Sequence, residues 1–190
     1  MKINNIFFLL ILIFINSLFS CVSSTITAIA GNAVISEKGV IQSFDDTVIF
    51  TKINSLIINE YNIKIADIYI SVNEGQVLLA GIMNDEKQRL SLIKKVWSVN
   101  GVKKIFNEIR VGEKYSLIDR SKDFILKSKI KTFLLLNHQI YSNNYNIVSF
   151  KGIIYLMGNI SNFREIEIIE KYIKNFSGVK KLKSMLILKK

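Results

Sequence analysis

Apolar residues recur at three- and four-residue intervals in two stretches of the chain, at Ile49, Ile53 and Leu56 and again at Leu126, Ile130 and Phe133. That is the period of an amphipathic helix with one buried stripe. Asp46 and Asp123 stand just ahead of these stretches, placed to accept orphan backbone N–H groups as N-caps. Each stretch is followed by two strand-like runs around a short turn: 67–73 and 76–83 about Glu74-Gly75, then 146–150 and 153–158 about Lys151-Gly152. The turn glycines permit the positive φ that a tight hairpin needs. A second helical period covers about 85–99, with Leu92, Val96 and Val99 on one face, and about 162–176, with Ile169, Ile173 and Phe176. Gly101 and Gly178 stop these helices, and last strands are expected over 102–111 and 179–188.

The two series are one series repeated. At a constant offset of 77 residues, Asp46 falls on Asp123, Lys52-Ile53 on Lys129-Ile130, Ile63 on Ile140, Gly75 on Gly152, Leu79 on Leu156 and Gly81 on Gly158. The run Gly101-Val102-Lys103-Lys104 falls on Gly178-Val179-Lys180-Lys181. One register held through five elements marks two tandem modules, about 45–112 and 120–190, joined by a short polar segment from Gly112 to Asp119. The order α-β-β-α-β predicts an α+β fold in each module, a three-stranded mixed sheet covered on one side by two helices. Leu90 and Trp97 are expected to pack as core or helix–sheet residues.

Ahead of the repeat lies a different kind of segment. Lys2 precedes an unbroken apolar run from Ile6 to Ile15, too short for a helix to span a ~30 Å hydrocarbon core. This is the pattern of a signal-peptide core. It leads to Leu18-Phe19-Ser20-Cys21, which resembles the lipobox of bacterial lipoproteins. The resemblance implies a leader over residues 1–20, cleaved before Cys21, and acyl chains on the Cys21 thiol and on the new N-terminus. The alternatives are an unmodified cysteine beside an ordinary cleavage site, or a leader kept as an anchor. Val22, where an Asp would signal inner-membrane retention, implies sorting to the outer membrane. Residues 21–44 mix small, apolar and Gly residues without a sustained period and read as a lipidated tether.

Composition narrows the chemistry. A single cysteine excludes an intramolecular disulfide, and a single histidine, His138, leaves no usual zinc or iron–sulfur ligand set. His138 reads as a partly exposed loop residue without a role. No nucleophile–base pair or paired carboxylates cluster or repeat, so neither an enzyme nor a cofactor is expected. The formal charge of +11 is unevenly placed. Cys21 to Glu113 holds ten basic and ten acidic residues, whereas Lys114 to Lys190 holds fifteen basic and five acidic, a surplus of ten. Two copies of one ancestral repeat share any codon bias, so bias does not account for that difference. Lys122, Lys127, Lys129 and Lys131 cluster on or beside the first helix of module two, interleaved with Ile125, Ile130 and the run Phe133 to Leu136. A basic amphipathic helix of this kind can lie in a membrane interface; the plainer reading is a solvated lysine face over a core stripe.

The hairpin segments Gly75-Gln76-Val77-Leu78-Leu79-Ala80-Gly81 and Gly152-Ile153-Ile154-Tyr155-Leu156-Met157-Gly158, the Gly-Val pairs at 101–102 and 178–179, and the run Asn107-Glu108-Ile109-Arg110 resemble the BON domain. With the lipobox, the whole chain resembles the two-BON outer-membrane lipoprotein family of Gram-negative envelopes. That resemblance implies a non-catalytic, periplasm-facing protein that supports envelope integrity and whose second domain recognises anionic phospholipid. The lipid surface would lie on Ile125, Ser128, Lys129, Thr132, Leu135 and Leu136, with Lys127 and Lys131 beside them, and Ile125 stands where a family tryptophan is expected. The alternative is a periplasmic adaptor that joins an envelope assembly through sheet edges or module contacts. Nucleic acid is not expected as a partner, since an exported chain does not meet the chromosome and no aromatic stacking platform is present.

Overall fold

The structure is a computed structural model that describes residues 37–61, 68–112 and 115–189, with side chains from Asp45 onward. Residues 43–190 form one compact unit. The first module runs α1 (Glu37–Tyr61), β1 (Ile68–Asn73), β2 (Gln76–Met83), α2 (Glu86–Trp97) and β3 (Lys104–Val111). The second runs α3 (Leu117–Leu136), a 3₁₀ turn (Ser142–Asn144), β4 (Tyr145–Phe150), β5 (Ile153–Ile160), α4 (Phe163–Lys174) and β6 (Lys181–Leu188). Each sheet has its middle strand paired antiparallel to the strand before it and parallel to the strand after α2 or α4, the expected mixed α+β topology.

The helices are longer at their starts than their hydrophobic period implies. α1 begins at Glu37, inside the stretch read as tether, and α3 begins at Leu117, inside the stretch read as linker. Ser116 is the N-cap of α3: its hydroxyl accepts from the Asp119 N–H at 3.1 Å and donates to the Asp119 carboxylate at 2.8 Å. The linker is not wholly polar surface either, because Tyr115 is buried against Phe150, ring centroids 5.2 Å apart. The core stripes settle on Ile49, Ile53 and Ile57 in α1 and on Leu126, Ile130 and Leu134 in α3. Leu56 and Phe133 lie beside them, half-buried, Phe133 stacked on Tyr172. Leu90 and Trp97 do not join the core; both are exposed on the outer face of α2, whose buried side carries Leu92 and Val96.

Asp46 and Asp123 are not caps of their own helices. Both sit inside a helix and turn their carboxylates onto the hairpin turn of their own module. Asp46 accepts the N–H groups of Glu74 at 2.7 Å and Gly75 at 2.8 Å; Asp123 accepts those of Lys151 at 2.5 Å and Gly152 at 2.9 Å, with the Ser149 hydroxyl at 2.7 Å. These turns need the anchoring. Glu74 and Lys151 both have φ of +52°, an unfavourable conformation for a residue with a Cβ, and Gly75 and Gly152 follow at +77° and +76°. Two backbone donors captured by a carboxylate hold a two-residue turn in which both residues are left-handed.

One face of each sheet packs on its own two helices, through Val77, Leu79 and Met83 in β2 and through Ile154, Leu156 and Ile160 in β5. The opposite faces pack on each other. Leu78, Ala80 and Ile82 from the first sheet meet Phe150, Ile153, Tyr155 and Met157 from the second in a core that belongs to neither module alone. Polar contacts rim it: Glu108 accepts from the Tyr155 hydroxyl at 3.2 Å and pairs with Lys183, Glu74 pairs with Lys189 at 3.2 Å, and Asn73 donates to Asn159 at 3.1 Å. Burial, then the Glu108 carboxylate, push the Tyr155 hydroxyl above its ordinary range, so it remains a donor.

Two outcomes follow from this packing. Asp123→Ala leaves two turn N–H groups and a buried hydroxyl without their acceptor and lowers stability by about 3 kcal/mol in urea unfolding. Asp46→Ala costs less, since Val72 stands where Ser149 does and Asp46 is only half-buried. Equal losses would show that the Ser149 hydroxyl and the deeper burial of Asp123 carry no weight, and no loss from either change would show that the turn contacts carry none. Separately, residues 114–190 produced alone expose Phe150, Tyr155 and Met157 in addition to the apolar side chains of α3, so they bind more of a hydrophobic dye, or self-associate more, than the 37–190 segment does.

Candidate functional site

The exposed side of α3 is unusual for a helix whose other side is already core. At about 100° per residue, Leu117, Phe124, Ser128 and Leu135 share one line along the helix, with Ile118, Ile125, Thr132 and Leu136 beside it. Six of these eight are large apolar residues, and all six are exposed: Leu117 at 80%, Leu136 at 73% and Phe124 at 70% of full accessibility, the others at half or more. The polar members are small. Ser128 and Thr132 lie between the apolar ends, and the Thr132 hydroxyl donates back to the Ser128 carbonyl at 3.0 Å, which leaves the surface smooth.

Lysines border this stripe on both sides. Lys122 and Lys129 line one flank, above an open cavity of about 590 Å³. Lys127 and Lys131 line the other, above a cleft of about 120 Å³ against β4. Long lysine stems can lie along an apolar surface while their ammonium groups reach water or headgroups. The exposed side of α3 is apolar along its centre line and cationic at both edges.

The structure thus brings Ile125, Ser128, Thr132, Leu135 and Leu136 together on one exposed strip, with Lys129 on one edge and Lys127 and Lys131 on the other. Sequence reasoning missed Phe124, Leu117 and Ile118. Phe124 falls outside the 3–4 residue stripe of Leu126 and Ile130, and it supplies an exposed aromatic ring next to Ile125. Leu117 and Ile118 were missed because the helix start was placed too late, although Ser116-Leu117-Ile118-Asp119 carries a capping pattern of a hydroxyl followed three residues later by a carboxylate. His138 is exposed in the turn after α3, as read. Cys21, the leader and the tether up to residue 36 lie outside the described residues.

The first module offers an internal comparison. Position for position, Lys122, Lys127 and Lys131 of α3 are Asp45, Phe50 and Asn54 of α1, and Phe124 is Thr47; only Lys129 keeps its charge, as Lys52. Among the described residues no helix is long and apolar enough to cross a membrane, and no group of three His, Cys, Asp or Glu side chains could hold a metal ion.

Two αββαβ units lie back to back, with one helix left apolar and basic toward solvent, and form a tandem repeat of one α+β module. The BON domain family matches residues 45–113 and 122–190, and the chain belongs to that family. It is 32% identical over 146 residues to an uncharacterized protein in the gshII 5′ region of Anaplasma centrale, covering 76% of this chain and 95% of that one. It is 25% identical over 167 residues to the outer membrane lipoprotein DolP of Haemophilus influenzae, covering 85% of each. Among solved structures, CdsD, a structural protein of the type III secretion system of Chlamydia trachomatis, covers 76% of this chain and 63% of its own length. At 16% identity and a TM-score of 0.32, it bears on neither fold nor function here.

Proposed function

We propose that this protein is a non-catalytic envelope lipoprotein, anchored in the outer membrane through Cys21, whose second BON domain lays α3 on anionic phospholipid and so supports the integrity of the envelope. The observation that carries the reading is the exposed apolar line of α3 with lysines on both edges. Apolar side chains gain by leaving water for the acyl boundary, and each lysine near an anionic surface adds about 1 kcal/mol. The likeness to an outer membrane lipoprotein across 85% of the chain supports the compartment. The lipobox-like Leu18-Phe19-Ser20-Cys21 supports the anchor. The adaptor reading loses the module faces, which already cover each other, and rests on the sheet edges alone.

The test uses the 37–190 segment, which contains both domains and all three core clusters but no acyl chain. It co-floats with vesicles of phosphatidylglycerol in phosphatidylcholine at low salt and not with phosphatidylcholine alone. Binding weakens as the screening length falls from about 8 Å at 0.15 M toward about 3 Å at 1 M salt. Replacing Lys127 and Lys131 by Asn lowers affinity about 30-fold. Phe124→Ser lowers it about tenfold through lost apolar burial. Charge reversal at Lys103 and Lys104 in the first module changes little. Binding that ignores the α3 variants, or no binding at low salt, removes the lipid reading.

A separate measurement tests the anchor. Intact-mass analysis of the membrane-extracted protein gives an N-terminal acylated Cys21, and Cys21→Ala abolishes acyl labelling. A free Cys21 thiol in the membrane-bound protein would show another mode of attachment.

A further inference from the structure

The 590 Å³ cavity beside α3 has a composition that the membrane-facing line of the helix does not require. Four lysines converge on it from three parts of the chain: Lys122 and Lys129 from α3, Lys151 from the hairpin turn, and Lys180 from the loop before β6. Leu126 and Phe176 supply apolar wall. Two of the lysines are placed by backbone geometry. Lys151 occupies the left-handed turn position whose N–H is held by Asp123. The Lys180 N–H donates to the Gly152 carbonyl at 2.8 Å, and its stem lies over Gly152 so closely that a Cβ there would come within 3.1 Å of it.

The carboxylates in the wall offset only part of this charge. Asp123 is taken up by the turn amides and Ser149, and Asp119 reaches Lys122 only at 4.0 Å. Four ammonium groups stand against two carboxylates, a formal surplus of two. The same frame in the first module carries Asp45, Lys52, Glu74 and Lys103 at the four lysine positions, with Asp46 in place of Asp123. There two ammonium groups meet three carboxylates. The fold therefore does not demand the lysines, and the second copy alone concentrates them.

We infer that this cavity binds a phosphate group carrying two negative charges, the chemistry of a phosphomonoester headgroup, in preference to a phosphodiester with one. The inference rests on the reading of α3 as membrane-facing, because Lys122, Ile125 and Lys129 belong to both the cavity wall and the edge of the apolar line. A headgroup seated there has its acyl chains beside Ile125. A phosphomonoester bears about −1.5 to −2 charge near neutral pH with three strong acceptor oxygens, and each ammonium brings three donors on a flexible stem. The dianion matches the surplus of two, whereas a monoanion leaves one charge uncompensated.

The test compares vesicles of phosphatidic acid and of phosphatidylglycerol in phosphatidylcholine, adjusted to equal surface potential, with the 37–190 segment. The expected result is at least about fivefold tighter binding to phosphatidic acid at about 0.15 M salt. Exchanging Lys122→Asp and Lys151→Glu, the residues the first module carries, brings that ratio to one. The backbone accepts the exchange, since Glu74 already occupies the equivalent left-handed turn position. Lys127→Asn with Lys131→Asn lowers both affinities and leaves the ratio unchanged. Soluble glycerol 3-phosphate at millimolar concentration shifts the amide resonances of Lys151, Gly152 and Gly178 in the parent and not in the exchanged variant. Equal binding to the two vesicle types overturns the cavity assignment while the lipid reading stands. A preference that survives the exchange places its origin elsewhere and overturns it too. Binding of glycerol 3-phosphate as tight as that of the vesicles overturns the lipid source, and no vesicle binding at all overturns both readings.

Discussion

Each three-stranded sheet has two apolar faces and one pair of helices with which to cover them. That mismatch governs the molecule. β2 and β5 are buried along nearly their whole length on both sides, so a single αββαβ unit leaves Leu78 and Ala80, or Phe150 and Tyr155, facing water. Fully burying one such side chain is worth about 1.5–3 kcal/mol, and several do so together where the sheets meet. The duplication solves the problem that one copy creates. Because the sheets meet back to back, the helices of both modules are pushed to the outside, and α3 presents its second face to whatever lies beyond.

The same duplication separates what the fold requires from what is added to it. Both copies keep the aspartate that holds the hairpin turn, the left-handed turn pair, and the glycine after the second helix. These features recur because the backbone needs them. Phe124, Lys122, Lys127, Lys131 and Lys151 have no counterpart of the same kind, the equivalent positions being Thr47, Asp45, Phe50, Asn54 and Glu74. A lysine face that merely kept a core helix soluble would have no reason to appear in one copy and not the other.

Much of this was legible in the sequence, and the failures have physical causes. Element order, the register of the repeat and the hairpin turns were readable because hydrophobic period and turn glycines are local signals. The sheet-to-sheet core was announced by the unbroken apolar runs of β2 and β5, which mark a strand buried on both faces, but only the helix-covered face was read from them. Asp46 and Asp123 were misread because an aspartate ahead of a helical stripe looks like a cap; its true partner lies 28 or 29 residues away. Leu90 and Trp97 show the converse error, apolar type taken for burial. The cavity could not be seen at all. Lys122, Lys151 and Lys180 are far apart in the chain, and only the closure of the hairpin onto α3 brings them together.

The proposed anchor changes what α3 has to do. With α1 starting at Glu37, fifteen residues separate it from Cys21, a length that spans at most about 54 Å when fully extended. A domain held within that radius of a surface meets it at an effective concentration in the millimolar range. Attachment then comes from the acyl chains, and α3 needs only a modest affinity of its own. Its lysines act over about 8 Å at physiological salt, so they contribute once the helix already lies against the headgroups. In the proposed function, what α3 and its cavity supply is therefore orientation and lipid choice. The first module, whose basic and acidic residues balance, supplies neither in that reading, so a two-copy protein addresses the surface with one copy.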